Sequence, residues 1–204
     1  MNKDIQWYIF DLDGTLYDFW WVKFNESALW KATQAWFYRV MKKYDLNNPQ
    51  KLYDAMLERE WQEKIPTSQQ LADLIGTTRH EVLNEIWGRL DLVWVIKNHN
   101  ISQNIIPILS GWSRLFLVTA APRIWANKAL EYMSLRQYFQ AILTLEDYWS
   151  SKGEAFARIQ ASSWIPFGKL ISIGDQEHSD ILPAKELGMQ ALHVSGPQDL
   201  SKLI

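Results

Sequence analysis

Apolar residues along this chain recur in two rhythms. Five short runs, at 8–10, 115–119, 141–144, 170–173 and 191–194, are predominantly apolar. Strands buried on both faces of a parallel sheet have that pattern. Between the later runs, apolar positions at helical spacing predict helices near 124–133, 153–160 and 180–187, the last closed by Gly188 at its C′ position. Repeated strand–helix–strand units imply right-handed crossovers and an α/β fold, a doubly wound parallel sheet. Ligands in such sheets sit beyond the carboxyl ends of the strands.

Residues 20–99 carry only the helical rhythm. Asn25 is placed to cap a helix running to Tyr44, with Leu29, Ala32, Trp36 and Val40 facing inward. Asn48-Pro49 opens a second helix with Leu52, Ala55, Met56 and Leu57 inward, and Ser68 starts a short third one closed by Gly76. Thr78 caps a fourth, carrying Val82, Ile86, Leu90 and Val93. The expected organisation is therefore a core of 1–19 and 100–204, interrupted by an all-α insert at 20–99.

A chain of 204 residues with 48% hydrophobic content can bury one sizeable core and a small accessory domain. Its formal charge of −2 argues against a nucleic acid polymer as partner, which would call for a basic face. The absence of cysteine excludes disulfides, thiolate metal sites and a cysteine nucleophile. Met1–Gln6 leads straight into the first strand, and no apolar run reaches membrane-spanning length. A cytoplasmic protein with no membrane partner is expected. Seven of the twelve tryptophans fall in the insert or at its start, and aromatic residues of that kind mostly pack in cores.

The chemistry concentrates at strand ends. Tyr8-Ile9-Phe10 delivers Asp11 and Asp13 into a turn at Gly14, which lets both acids curl around one point. Two crowded carboxylates repel unless a cation or a shared proton relieves them, which suggests an oxygen-seeking ion such as Mg2+. An Asp-rich turn without function is the alternative. Thr119 ends a second strand, and Asp175 follows a third, with Asp180 five residues on, where it also suits a helix N-cap. Lys152 opens a helix, against the usual dipole preference. His178 and Arg123 are weaker candidates, each suited to a surface role.

Asp11-Leu12-Asp13-Gly14-Thr15, the strand ending in Thr119, Ser151-Lys152-Gly153 and Gly174-Asp175 with Asp180 together resemble the four motifs of the haloacid dehalogenase-like (HAD) phosphohydrolases, in order. The resemblance implies a Rossmann-like core, with the helical insert as the cap placed after the first strand. It implies Asp11 as nucleophile, forming an aspartyl-phosphate, and Asp13 as general acid and then base. Lys152 would neutralise Asp11 and the transferring group, while Thr119 and the backbone N–H of Ala120 would bind phosphoryl oxygens. Mg2+ would be held by Asp11, the carbonyl of Asp13, Asp175 and Asp180, the last as ligand or partner of bound water. The implied activity is hydrolysis of a small phosphomonoester: a sugar phosphate, a phosphoglycolate-like acid or a nucleoside monophosphate. Asp13 argues against dehalogenation, because dehalogenases of the superfamily lack that second acid. A phosphomutase, or a non-catalytic binding protein on the same fold, stays open. Gly153 and Ala120 depart from the family's usual proline and from an asparagine common in one branch, which bears on substrate class. Trp20 and Trp21, close after the catalytic turn, are candidates to stack on a planar leaving group, as bases do on aromatic rings.

Overall fold

The apolar runs pair as one parallel five-stranded sheet in the order β3-β2-β1-β4-β5. The strands are β1 (Trp7–Phe10), β2 (Arg114–Val118), β3 (Phe139–Leu143), β4 (Leu170–Gly174) and β5 (Gln190–His193). They belong to a computed structural model that describes residues 7–18, 26–148 and 151–204. Trp20, Trp21 and Asn25 lie outside the described residues. The chain divides into two compact units, 1–21 with 96–204, and 22–95. In register, Phe10 lies between Leu117 of β2 and Ile173 of β4, which aligns the ends of the three central strands. These three are buried, whereas β3 and β5 are largely half-exposed. Burial on both faces thus holds for the middle of the sheet and fails at its edges, where one flank has no neighbouring strand.

The unit 22–95 contains helices α1 (Ala28–Lys43), α2 (Pro49–Glu63), α3 (Thr67–Ile75), α4 (Arg79–Trp87) and the short α5 (Leu92–Val95). Ser27, with its Oγ accepting the Trp30 N–H at 3.1 Å, caps α1. The buried stripe of α1 is Leu29, Thr33, Phe37, Val40 and Met41, one position round from the expected Ala32 and Trp36. Trp36 stays half-buried, with the guanidinium of Arg39 4.4 Å from its ring. In α2, Tyr53 and Met56 are buried while Ala55 is exposed. Thr78 forms a full capping box with Glu81, but α4 ends at Gly88 rather than running on, and Val93 is exposed. Phe37, Tyr53, Leu71, Val82 and Ile86 anchor this unit's own core.

The other unit adds α6 (Asn100–Ser110), α7 (Arg123–Tyr132), α8 (Lys152–Ser163) and α9 (Leu182–Glu186). The apolar pattern did not suggest α6, which carries Pro107 inside it. Nor does the last helix begin at Asp180: a π-helical turn, Glu177–Ile181, precedes α9, and Asp180 is buried within it. Gly188 does follow the C-cap of α9 in the left-handed region, at φ +76°. Ala155, Phe156 and Ile159 of α8 share a buried cluster with Ile9, Phe116 and Ala184.

The far end of α8 is less well suited to its residue. Trp164, the C-cap, adopts φ +58° while its side chain is 90% exposed. A non-glycine side chain there costs energy that no burial returns. Trp164→Gly is expected to raise unfolding free energy by about 0.5–1 kcal/mol, part of the relief being offset by the entropy of a freer unfolded chain. Urea denaturation of the two proteins checks this.

Candidate active site

Each of the three central strands ends in a candidate residue, and backbone bonds hold those ends in register. The Asp11 N–H donates to the Ile173 carbonyl at 2.9 Å, and the Thr119 N–H to Leu143 at 3.0 Å. After Asp11 the chain turns at Gly14, φ +82°, and the Leu16 N–H returns to the Leu12 carbonyl at 2.9 Å. That turn keeps Asp11, Asp13 and Thr15 at one edge. Thr15 Oγ1 lies 3.4 Å from Asp11 Oδ2, at the long end of a hydrogen bond.

Lys152, the first residue of α8, is the centre of the charge arrangement. Its Nζ donates to Asp11 Oδ1 at 2.5 Å and to Asp180 Oδ1 at 2.6 Å, and all three residues are buried. Burial alone would lower the lysine's pKa, but the two carboxylates together hold it above its usual value. The π-helical turn aims Asp180 inward, where its Oδ2 accepts the Gln176 N–H at 3.0 Å. Gly174 permits that approach, because a Cβ at this position would overlap the Asp180 carboxylate.

Asp11, Asp175 and Asp180 each place a carboxylate oxygen within 4.8 Å of the others. One ammonium cannot balance three ionised carboxylates, two of them buried and Asp175 half-buried, so ionising all three leaves the group negatively charged. Burial, followed by repulsion from Asp180 and Asp175 and opposed by Lys152, pushes Asp11 well above the usual carboxylate range. Burial and then Asp180 raise Asp175 from 3.8 to about 7. Asp175 Oδ1 is buried with no hydrogen-bond partner among the described residues. An all-oxygen donor set, excess negative charge and an orphaned carboxylate oxygen all fit a hard divalent cation such as Mg2+.

The raised Asp175 has a consequence for stability. In metal-free protein the native state holds this proton from pH 4 to 7 while the unfolded chain has released it. Stability then falls as pH rises across that window, by an amount on the order of a few kcal/mol. Unfolding titrations in EDTA are expected to show the decline, and Asp175→Asn to flatten it. Added Mg2+ is expected to oppose it most at the alkaline end, where the carboxylate is ionised.

Asp13 is held apart from the three-carboxylate group. Its Oδ1 accepts from the phenol of Tyr17 and from Trp125 Nε1, the latter at 2.9 Å. Burial raises its pKa, and the two hydrogen bonds oppose that rise. Neither partner was evident from sequence. Tyr17 stands four residues after Asp13, a spacing that one helical turn would bring together, whereas Trp125 lies 112 residues away and had no local signal.

Thr119 is fully buried, and its Oγ1 accepts the Ala121 N–H at 3.0 Å. That bond uses the oxygen as acceptor and not its hydroxyl proton. Ala120 beside it is exposed. Arg123 instead pairs with Asp147 at 2.5 Å, its backbone N–H donating to Glu146, so it fills the surface role. His178 is exposed on the π-helical turn.

The sequence model of the haloacid dehalogenase-like hydrolases matches residues 8–194. No curated protein matches the chain. Among solved structures, the chain is similar to a HAD phosphatase from Thermococcus onnurineus, at 17% identity and TM-score 0.66, covering 98% of this chain and 97% of that one. It is also similar to a HAD-superfamily hydrolase of subfamily IA, variant 1, from Geobacter sulfurreducens, at 15% identity and TM-score 0.60, over 98% and 100% of the two chains. A third is a Bacillus subtilis protein of the HAD-hydrolase class, solved bound to magnesium, at 16% identity and TM-score 0.60, over 98% and 99%. At these identities the structural likeness establishes the fold. Among the described residues no helix is long and apolar enough to cross a membrane.

Proposed function

The chain belongs to the haloacid dehalogenase-like hydrolases, and on that premise we propose that it is a Mg2+-dependent phosphatase of small phosphomonoesters. The observation that carries this reading is Lys152 held between Asp11 and Asp180, beside an Asp175 oxygen that has no partner among the described residues. A buried lysine against the attacking carboxylate suits a phosphoryl group, whose transfer depends on positioning and charge neutralisation.

Asp11 forms an O–P bond as the bond from phosphorus to the departing alkoxide breaks. Asp13 gives its proton to that alkoxide. It then takes a proton from the water that attacks the aspartyl-phosphate, releasing inorganic phosphate and restoring Asp11. Thr119 donates its hydroxyl proton to a phosphoryl oxygen, with the Ala120 N–H beside it. Asp11, Asp175 and the Asp13 carbonyl would hold the cation, which when bound neutralises charge on the phosphoryl oxygens. Asp180 contributes charge and fixes the lysine, since its oxygens already accept from Lys152 and Gln176. The magnesium bound in the Bacillus subtilis structure supports the metal assignment. The paired Lys152 and Asp11 weigh against a non-catalytic binding protein, which has no need of a buried charge cluster.

The test is a panel of sugar phosphates, nucleoside monophosphates and phosphoglycolate, assayed with Mg2+ and with EDTA. Turnover is expected only with the metal. Activity indifferent to chelation, or a metal-fluoride group trapped on a residue other than Asp11, would contradict the assignment.

A further inference from the structure

General acid catalysis depends on where the proton sits on the carboxyl group. At Asp13 the surroundings treat the two oxygens differently. Tyr17 Oη and Trp125 Nε1 both donate to Oδ1, and Trp125 Nε1 also lies 3.0 Å from Tyr17 Oη. Tyr17 and Trp125 are fully buried, and they come from separate segments, the turn after β1 and the first turn of α7. Buried polar atoms are costly unless paired, and both the phenol and the indole N–H find a partner in Asp13.

We infer that Tyr17 and Trp125 are positioning residues that clamp Asp13 by Oδ1, leaving Oδ2 as the oxygen that delivers and recovers the proton. The inference rests on the acid–base role proposed for Asp13. An oxygen accepting two hydrogen bonds has little capacity to carry a proton as well, so the acidic hydrogen resides on Oδ2. As the phosphorus–oxygen bond to the leaving group breaks, the Oδ2–H bond breaks and an O–H bond forms on the departing alkoxide. Hydrolysis of the aspartyl-phosphate returns a proton from water to Oδ2. The clamp also prevents the carboxyl rotation that would exchange the two oxygens, and misplacement of a catalytic group by an ångström is expensive in rate. The donors favour the carboxylate left after transfer, which makes the proton easier to release.

Tyr17→Phe removes one oxygen and keeps the ring, and Trp125→Phe removes the indole donor. For each, kcat/KM is measured on an alkyl phosphate and on p-nitrophenyl phosphate, whose phenolate leaves with little need of a proton. Because kcat/KM reports steps up to the first phosphoryl transfer, later hydrolysis of the intermediate does not blur the comparison. The alkyl-to-aryl ratio is expected to fall by about tenfold or more in each variant, through kcat, a part of the 10²–10⁴-fold that general acid catalysis supplies. Inhibition by inorganic phosphate is expected to keep its strength, because phosphate binding does not use these residues. Should Trp125→Phe not fold, Tyr17→Phe alone decides. An unchanged ratio in Tyr17→Phe, with Asp13→Asn shifting it strongly, would overturn the clamp and leave the acid–base role standing. A ratio unchanged in Asp13→Asn as well, or a parent protein without phosphatase activity, would overturn both.

Discussion

Asp11→Asn is expected to reduce phosphatase turnover by more than about 10⁴-fold, the scale seen when a covalent nucleophile is removed. The reason is chemical, since an amide oxygen cannot form the proposed aspartyl-phosphate, while the side chain keeps its shape. Stability is expected to move the other way. Burial and neighbouring carboxylates hold Asp11 well above its usual pKa, so its ionised form is disfavoured in the metal-free fold. For a carboxylate raised in this way, stability is lost as pH climbs from the unfolded value, and at neutral pH a neutral amide escapes that cost. Lys152 retains Asp180 as partner in the variant. Metal-free Asp11→Asn should therefore melt at or above the parent's temperature at pH 7.5. A variant with residual turnover above that level, or one that is markedly less stable, would count against Asp11 as a strained nucleophile.

Lys152→Met is expected to be costly in both respects. It removes the ammonium that lies between two buried carboxylates, and leaving buried charge uncompensated typically costs about 3–5 kcal/mol. Activity is expected to fall at least about 100-fold, because charge on the transferring group loses its neutralising partner. The stability loss should be largest above neutral pH in EDTA, and shrink at pH 5 as the raised carboxyls protonate. Mg2+ should recover part of the stability without recovering the rate, which separates charge balance from catalysis. Chemical denaturation with and without metal at the two pH values gives the comparison.

The central sheet was legible because a parallel strand covered on both sides must be almost wholly apolar, as Leu115–Val118 is and as Leu170–Gly174 is apart from Ser172, whose hydroxyl donates to the Asp180 carbonyl. Edge strands β3 and β5 obey the same rhythm with less burial, a difference that needs the neighbours to be known. Helix existence was easier to read than helix facing. In α1 the stripe is set by Phe37 packing against Tyr53, and large Trp36 yields to it with its ring turned to Arg39 and Arg89. α6 was hidden by Pro107, whose usual meaning is a break. At the strand ends, acids and a threonine stood out because their chemistry is conspicuous in an apolar run. The π-helical turn that buries Asp180 was not visible, since an Asp before an apolar helix looks like a cap. Tyr17 and Trp125 were silent for another reason: their meaning lies in a contact between distant segments, and packing accounts for aromatic residues without it.

The position of β1 in the sheet also sets an order of events. Of the five strands of the sheet, the one made first, β1, is the middle one, and it pairs with residues 114–118 and 170–174. Closing such distant pairings is slow and must wait for the chain to emerge. The helices of 22–95, whose contacts are nearer in sequence, leave the ribosome complete while β1 still lacks both neighbours. Asp11 is thus made well before Lys152, and Asp180 after both. A nascent chain ending before residue 180 carries Lys152 with only one of its two carboxylates, so the charge cluster exists only once synthesis has passed residue 180.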